Sequence, residues 1–191
     1  MSVISYRSPR ARSDATAVLG MTVFLGSWAI MFAALFFGYA TIRVRLASWP
    51  PAGLPPLPLA LPGLNTVVLA GSGVMLQRAL GAARAGNSSV RRDVVAAALL
   101  GTVFLGLQFL LWIRMWQAGL RPEAGPYPSV FWALTVFHAL HVLVGLGGLC
   151  FVAARASSYI PARHLSLRLW TTFWHFIGAV WLLLFVSVFV L

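Results

Sequence analysis

Residues 130–154 read VFWALTVFHALHVLVGLGGLCFVAA, twenty-five positions without an Asp, Glu, Lys or Arg. At a rise of 1.5 Å per residue, such a helix extends about 37 Å, enough to cross a hydrocarbon core of about 30 Å. Within it, His138, His141, Gly145 and Gly148 recur at steps of three and four and so share one helical face. In lipid, small residues let backbones approach each other and polar groups need partners. The stretch therefore predicts a membrane helix with one face turned to other helices.

Four further apolar runs, at about 18–42, 62–81, 94–113 and 170–191, have comparable length. The predicted fold is all-α: a polytopic membrane bundle of five transmembrane helices. Residues 1–17 read as a cytoplasmic amino-terminal segment and 18–191 as one transmembrane domain. The run at 18–42 exceeds a secretory signal core of about 7–15 residues, and no small-residue cleavage site follows, so it reads as a retained helix. Contact stripes are expected at Gly20, Ser27, Ala34, Gly38 and Thr41 on the first span and at Ala97, Gly101 and Gln108 on the third. Thr171, His175 and Gly178 make the corresponding line on the fifth. The second span is the least apolar, with Asn65, Ser72, Gln77 and Arg78, and is expected to sit among the others.

Composition agrees. The 191-residue chain is 60% hydrophobic and 9% charged, against about 25% charged in soluble domains. All fourteen basic residues are arginine, and the net charge is +11. The arginines flank apolar runs, as topology and anionic headgroups require, which argues against nucleic acid as a partner. With the amino terminus inside, ten arginines are cytoplasmic: Arg7, Arg10, Arg12, Arg78, Arg84, Arg91, Arg92, Arg155, Arg163 and Arg168. Four are outside: Arg43, Arg45, Arg114 and Arg121. The positive-inside rule then puts the amino terminus inside and the carboxyl terminus outside. The single cysteine, Cys150, can form no internal disulfide and is expected to be a buried filler.

Three intramembrane histidines, His138, His141 and His175, raise the question of metal or haem ligation. Depth argues against a clamped haem: His141 lies about 17 Å and His175 about 24 Å from the outer ends of their spans. A copper or zinc site would need further ligands, and no Cys, Met or carboxylate partner is evident. The expected role is interhelical hydrogen bonding by neutral imidazoles to carbonyls, Ser, Thr or Gln side chains, or one another. Asn65 and Gln108 read as interhelical polar contacts in the same way. Arg78 and Arg155, at inner helix ends, are candidates for a phospholipid headgroup. The acids Asp14, Asp93 and Glu123 all fall outside the spans, which speaks against a proton pump or ion-driven transporter relying on a buried carboxylate.

Between the first two spans, Trp49–Thr66 reads WPPAGLPPLPLALPGLNT and holds six of eleven prolines. Fixed φ angles with leucines between them predict a rigid cap over the outer mouth of the bundle, Trp49 at the interface and Pro62 in the first turn of the second helix.

Four stretches carry a family resemblance: SWAIMFAALFF at 27–37, the proline segment with its LPGLNT, FHALHVLVG at 137–145, and WHFIGAVWLLLFVSV at 174–188. In this order and spacing they resemble subunit III of the haem–copper oxidases, in the cytochrome c oxidases and quinol oxidases. The resemblance runs from about residue 20 onward and is to the five-helix form lacking the first two of seven helices. It implies a non-catalytic subunit that docks on the catalytic subunit I of a respiratory terminal oxidase, beside subunit II, and holds phospholipid. Haem and copper would belong to the partners, with none bound by this chain. The implied location is the bacterial cytoplasmic membrane. Asn65, Gln108, Arg155 and the three histidines match family positions. At Trp28, Leu111 and Gly178 the family's acids are replaced. Two readings remain beside it: an accessory subunit of a nitric oxide reductase, and a stand-alone transporter or lipid-binding membrane protein.

Overall fold

A computed structural model describes residues 9–51, 53–155 and 162–191. Arg7 lies outside the described residues, as do the side chains of Arg10, Arg12 and Arg163. Five long helices follow one another: α1 (Pro9–Arg45), α2 (Ala60–Arg84), α3 (Val90–Gln117), α4 (Pro126–Arg155) and α5 (Ala162–Leu184). A 3-10 turn at Pro122–Ala124 precedes α4, and α5 continues as a π-helix over Phe185–Val190. All five helices are long and apolar enough to cross a membrane, so the protein is an all-α, multi-pass membrane protein.

The turns explain the antiparallel order. At the end of α2, Asn87 N–H donates to the Ala82 carbonyl at 2.9 Å and Gly86 N–H to Ala83 at 3.4 Å. Gly86 has φ +70°, the left-handed conformation this helix stop requires. The end of α3 repeats the device. Leu120 N–H donates to Met115 and Gly119 N–H to Trp116, at 2.9 and 3.1 Å, with Gly119 at φ +88°. Leu120, fully buried, seals the turn from within, and Trp132 on α4 donates its indole N–H to the Leu120 carbonyl at 2.7 Å.

The helices are unequally covered. In their apolar stretches 44% of residues are buried in α4 and α5, 33% in α3, 28% in α2 and 6% in α1. The core therefore lies among α2 to α5, with α1 laid against α4 and α5. The polar α2 is not the most enclosed helix. Asn65 and Ser72 are buried, but Gln77 and Arg78 are exposed.

The proline segment does act as a lid. Leu54, Leu57 and Leu61 pack on the core cluster, and Pro62 lies buried in the first turn of α2. Trp49 packs inward as well, its ring edge-on to Tyr39 of α1 at 5.6 Å and to Tyr127 of α4 at 4.6 Å. The Arg43 guanidinium sits 5.4 Å from the Trp49 ring and donates to the Ser187 carbonyl at 3.2 Å and to that of Leu191. Tyr39 O–H also donates to Ser187. A cation thus meets carbonyls at the carboxyl end of a helix, where the helix dipole favours positive charge.

Candidate functional site

The interior of the bundle is an aromatic and polar seam. Trp174 of α5 lies between Gly101 of α3 and Gly145 of α4. A methyl group placed on either glycine would come within 2.7 and 2.8 Å of its ring. Trp170, one turn earlier, covers Gly148 of α4, where an added methyl would meet the ring at 2.1 Å. The small residues read as stripes on α3 and α4 are therefore sockets for indole rings. The rings themselves were not evident from sequence, because a tryptophan on a membrane helix suits lipid as well as a neighbour. The α1 stripe has the opposite outcome. Gly20, Ser27 and Ala34 are exposed, and nothing lies within 4 Å of a Cβ added at Gly20 or Gly38. Instead α1 docks through Phe24, Trp28, Phe32 and Tyr39. Cys150 is exposed on α4 rather than buried, two positions from the face that carries Gly145 and Gly148.

The polar residues are distributed along this seam. Asn65 of α2 donates its amide N–H to Gln108 Oε1 of α3 at 3.2 Å, with both residues buried. Ser72 donates to the Ala97 carbonyl at 2.8 Å, and Trp181 to Thr66 Oγ1 at 3.0 Å. Trp112 donates to Thr135 Oγ1 at 3.1 Å.

The three histidines do not converge. His141 pairs through Nδ1 with the Phe137 carbonyl one turn back, and its ring lies 3.8 Å from Trp28 and 5.0 Å from Phe32, both of α1. His138 is fully buried and differs from the expectation. Neither ring nitrogen has a hydrogen-bond partner among the described residues, and the ring is held between Phe104 at 5.8 Å and Trp181 at 5.2 Å. His175 faces α2, its Nε2 2.6 Å from Gln77 Nε2. Among the described residues no group of three His, Cys, Asp or Glu side chains is placed to hold a metal ion.

The replaced positions fall in three different settings. Trp28 faces His141 across the α1–α4 contact. Leu111 is fully buried in the core. Gly178 lines an open groove of about 650 Å³ between α2 and α5, whose walls include Gln77, Arg78 and His175. Arg155, at the end of α4, lies over the Phe151 ring at 4.2 Å.

Residues 12–191 match the family model described as cytochrome c oxidase subunit III. The chain belongs to the cytochrome c oxidase subunit III family. It is a five-helix member. A curated relative named cytochrome c oxidase subunit 3 from Synechocystis is 31% identical over 178 residues, covering 91% of this chain and 75% of the relative. A relative of the same name from Thermostichus vulcanus is 30% identical over 185 residues, 91% of this chain and 87% of the relative. The human protein of that name is 34% identical over 180 residues, covering 89% and 67%. The stretches that carried the resemblance, from SWAIMFAALFF to WHFIGAVWLLLFVSV, all lie inside the matched range.

Proposed function

We propose that the chain is a non-catalytic subunit of a bacterial respiratory terminal oxidase, docked on the catalytic subunit I with subunit II in the same complex. The observation that carries this is the bare α1. Only 6% of its apolar stretch is buried, and its line of Gly20, Ser27 and Ala34 is free to receive another helix at close range. The names of the relatives favour an oxidase over a nitric oxide reductase as the parent complex. Relatives in Synechocystis and Thermostichus vulcanus support a bacterial cytoplasmic membrane. The ten-to-four arginine count supports an amino terminus inside and a carboxyl terminus outside. Arg155, at the inner end of α4, would bind a phospholipid headgroup.

The role is steric and dielectric. The chain presents a packed apolar wall cross-tied by hydrogen bonds within the bundle, as in Asn65–Gln108 and Ser72–Ala97. Against that wall, subunit I keeps a fixed low-dielectric flank. Electron transfer, oxygen reduction and proton movement belong to the partners. The test is to purify the oxidase with and without this chain and follow activity over many turnovers. Faster loss of activity without the chain is expected, and an unchanged turnover lifetime would refute the proposal.

A further inference from the structure

Three side chains at the centre of the bundle carry unused hydrogen-bonding capacity. Asn65 Oδ1, Gln108 Nε2 and both ring nitrogens of His138 have no hydrogen-bond partner among the described residues. Asn65, Gln108 and His138 are 0, 1 and 0% exposed, so neither bulk water nor a lipid headgroup reaches them. A buried donor or acceptor left without a partner forfeits the solvation it had in water, and hydrocarbon replaces none of it.

These side chains stand in one layer. Trp112 of α3 donates to Thr135 of α4 at 3.1 Å, which puts the two residues level. Gln108 lies four residues further from the α3–α4 turn than Trp112, about 6 Å along the axis. His138 lies three residues further than Thr135, about 4.5 Å. Gln108 and His138 are therefore level within about 2 Å. Asn65 of α2 joins them through its 3.2 Å bond to Gln108. Rings bound the layer. Phe104, one turn from Gln108 on α3, packs on His138 at 5.8 Å and on Trp181 at 4.8 Å. Trp181 packs on His138 at 5.2 Å, and its indole N–H is already committed to Thr66, the neighbour of Asn65.

The unused capacity is balanced. Asn65 Oδ1 needs a donor and Gln108 Nε2 an acceptor. Turning both amides over exchanges the two needs and keeps one of each. A neutral imidazole has one N–H and one bare nitrogen, so His138 adds one of each again. The occupant that fits is small, neutral and able both to donate and to accept. An ion does not fit. No Asp, Glu, Lys or Arg stands among these residues, and among the described residues no group of three His, Cys, Asp or Glu side chains could hold a metal.

We propose that this layer is a binding site for one internal water, which donates to Asn65 Oδ1, accepts from Gln108 Nε2 and bonds one ring nitrogen of His138. Three bonds are the usual complement of a buried water. The two imidazole nitrogens point to different sides of the ring, so this water serves one of them. The water completes a tie among three helices, in which α2 and α3 meet directly and α4 joins through solvent. The site lies wholly inside this chain and stands apart from the docking role proposed above, so it does not depend on the identity of the parent complex.

The test is solid-state NMR on the full chain, labelled with nitrogen-15 and reconstituted in bilayers. Magnetisation is passed from water protons to nitrogen, at mixing times short enough that the backbone N–H of the fully buried Leu111 receives none. Transfer to the Gln108 side-chain nitrogen and to one His138 ring nitrogen is expected. If either receives nothing, the proposal is overturned. Asn65→Leu combined with Gln108→Leu removes two of the three anchors and should abolish transfer to His138. Transfer that survives this double variant would place the water elsewhere and overturn the site as drawn. His138→Phe keeps a ring between Phe104 and Trp181 and should reduce the Gln108 signal; an unchanged signal would remove His138 from the site. If the double variant does not fold, a map of the parent chain that shows ordered waters decides. A peak within about 3 Å of Asn65 Oδ1, Gln108 Nε2 and a His138 nitrogen is expected, whereas a direct bond from His138 to either amide would overturn the proposal.

Discussion

Helices α1 and α5 are both apolar enough to cross a membrane, yet 6% of one apolar stretch is buried and 44% of the other. Each carries small residues at helical spacing. The difference lies in what faces those residues. α5 brings Trp170, Trp174 and Trp181 to the bundle and places two of them in glycine sockets on α3 and α4. The glycines of α1 have no ring opposite them. Hydropathy therefore decides which segments cross, and the match of large groups to gaps decides which helices join. In lipid, packing and hydrogen bonding carry association, so an unmatched stripe leaves a helix bare even beside a well-formed core.

The strongest way to break this contrast is Trp174→Ala. Emptying the space between Gly101 and Gly145 should cost about 4 kcal/mol, in the range for large aromatic truncations in cores. Detergent-denaturation midpoints of the purified subunit would measure it. A loss below about 1 kcal/mol would mean that the indole is not the element holding α3, α4 and α5 together. Next comes Gly148→Leu, which drives a side chain into Trp170 and should cost about 3 kcal/mol by overpacking. Here the reading is the yield of folded chain in membranes, and normal yield would contradict the socket.

A smaller effect is expected from the polar seam. Gln108→Leu strips Asn65 of its partner and should cost about 1 kcal/mol, because hydrogen bonds between membrane helices are individually modest. A double-mutant cycle with Asn65→Leu should give a coupling of about 0.6 kcal/mol, whereas zero coupling would show that the contact contributes nothing. The smallest change in stability belongs to α1. Gly20→Leu together with Ala34→Leu should leave the isolated chain within about 0.5 kcal/mol of the parent while reducing the amount of subunit I recovered with it. If recovery is untouched, α1 is not the docking face. If the isolated chain is destabilised as strongly as by Gly148→Leu, α1 is better packed than its exposure indicates.

The five helices were legible because each apolar run is long enough to cross a bilayer and is bounded by arginine or proline. The sockets on α3 and α4 were legible from Gly101, Gly145 and Gly148, whose spacing marks a face. Their occupants were not, since lipid and protein neighbours tolerate the same aromatic residues. The stripe on α1 was misleading for the same physical reason: small residues permit a close approach without specifying who makes it. Cys150 was misplaced because an apolar run has no sequence signal separating its lipid side from its core side. The pairing of Gln77 with His175 and the aromatic enclosure of His138 depend on residues about one hundred and about forty positions apart, and no local pattern encodes such distances. The π-helix at Phe185–Val190 left no mark in the hydrophobic spacing either.

The Trp174 sockets also bear on how the molecule is made. Synthesis runs from the amino terminus, so α3 and α4 emerge while the spaces at Gly101 and Gly145 have nothing to fill them. The residue that fills both arrives on the last helix. Until α5 enters the membrane, the two earlier helices share a gap that lipid tails or a chaperone must occupy, and α2 lacks its tie from Trp181 to Thr66. Closure of the bundle is therefore a late event in biogenesis, and an interrupted chain should reach the membrane's quality-control proteases with its seam still open.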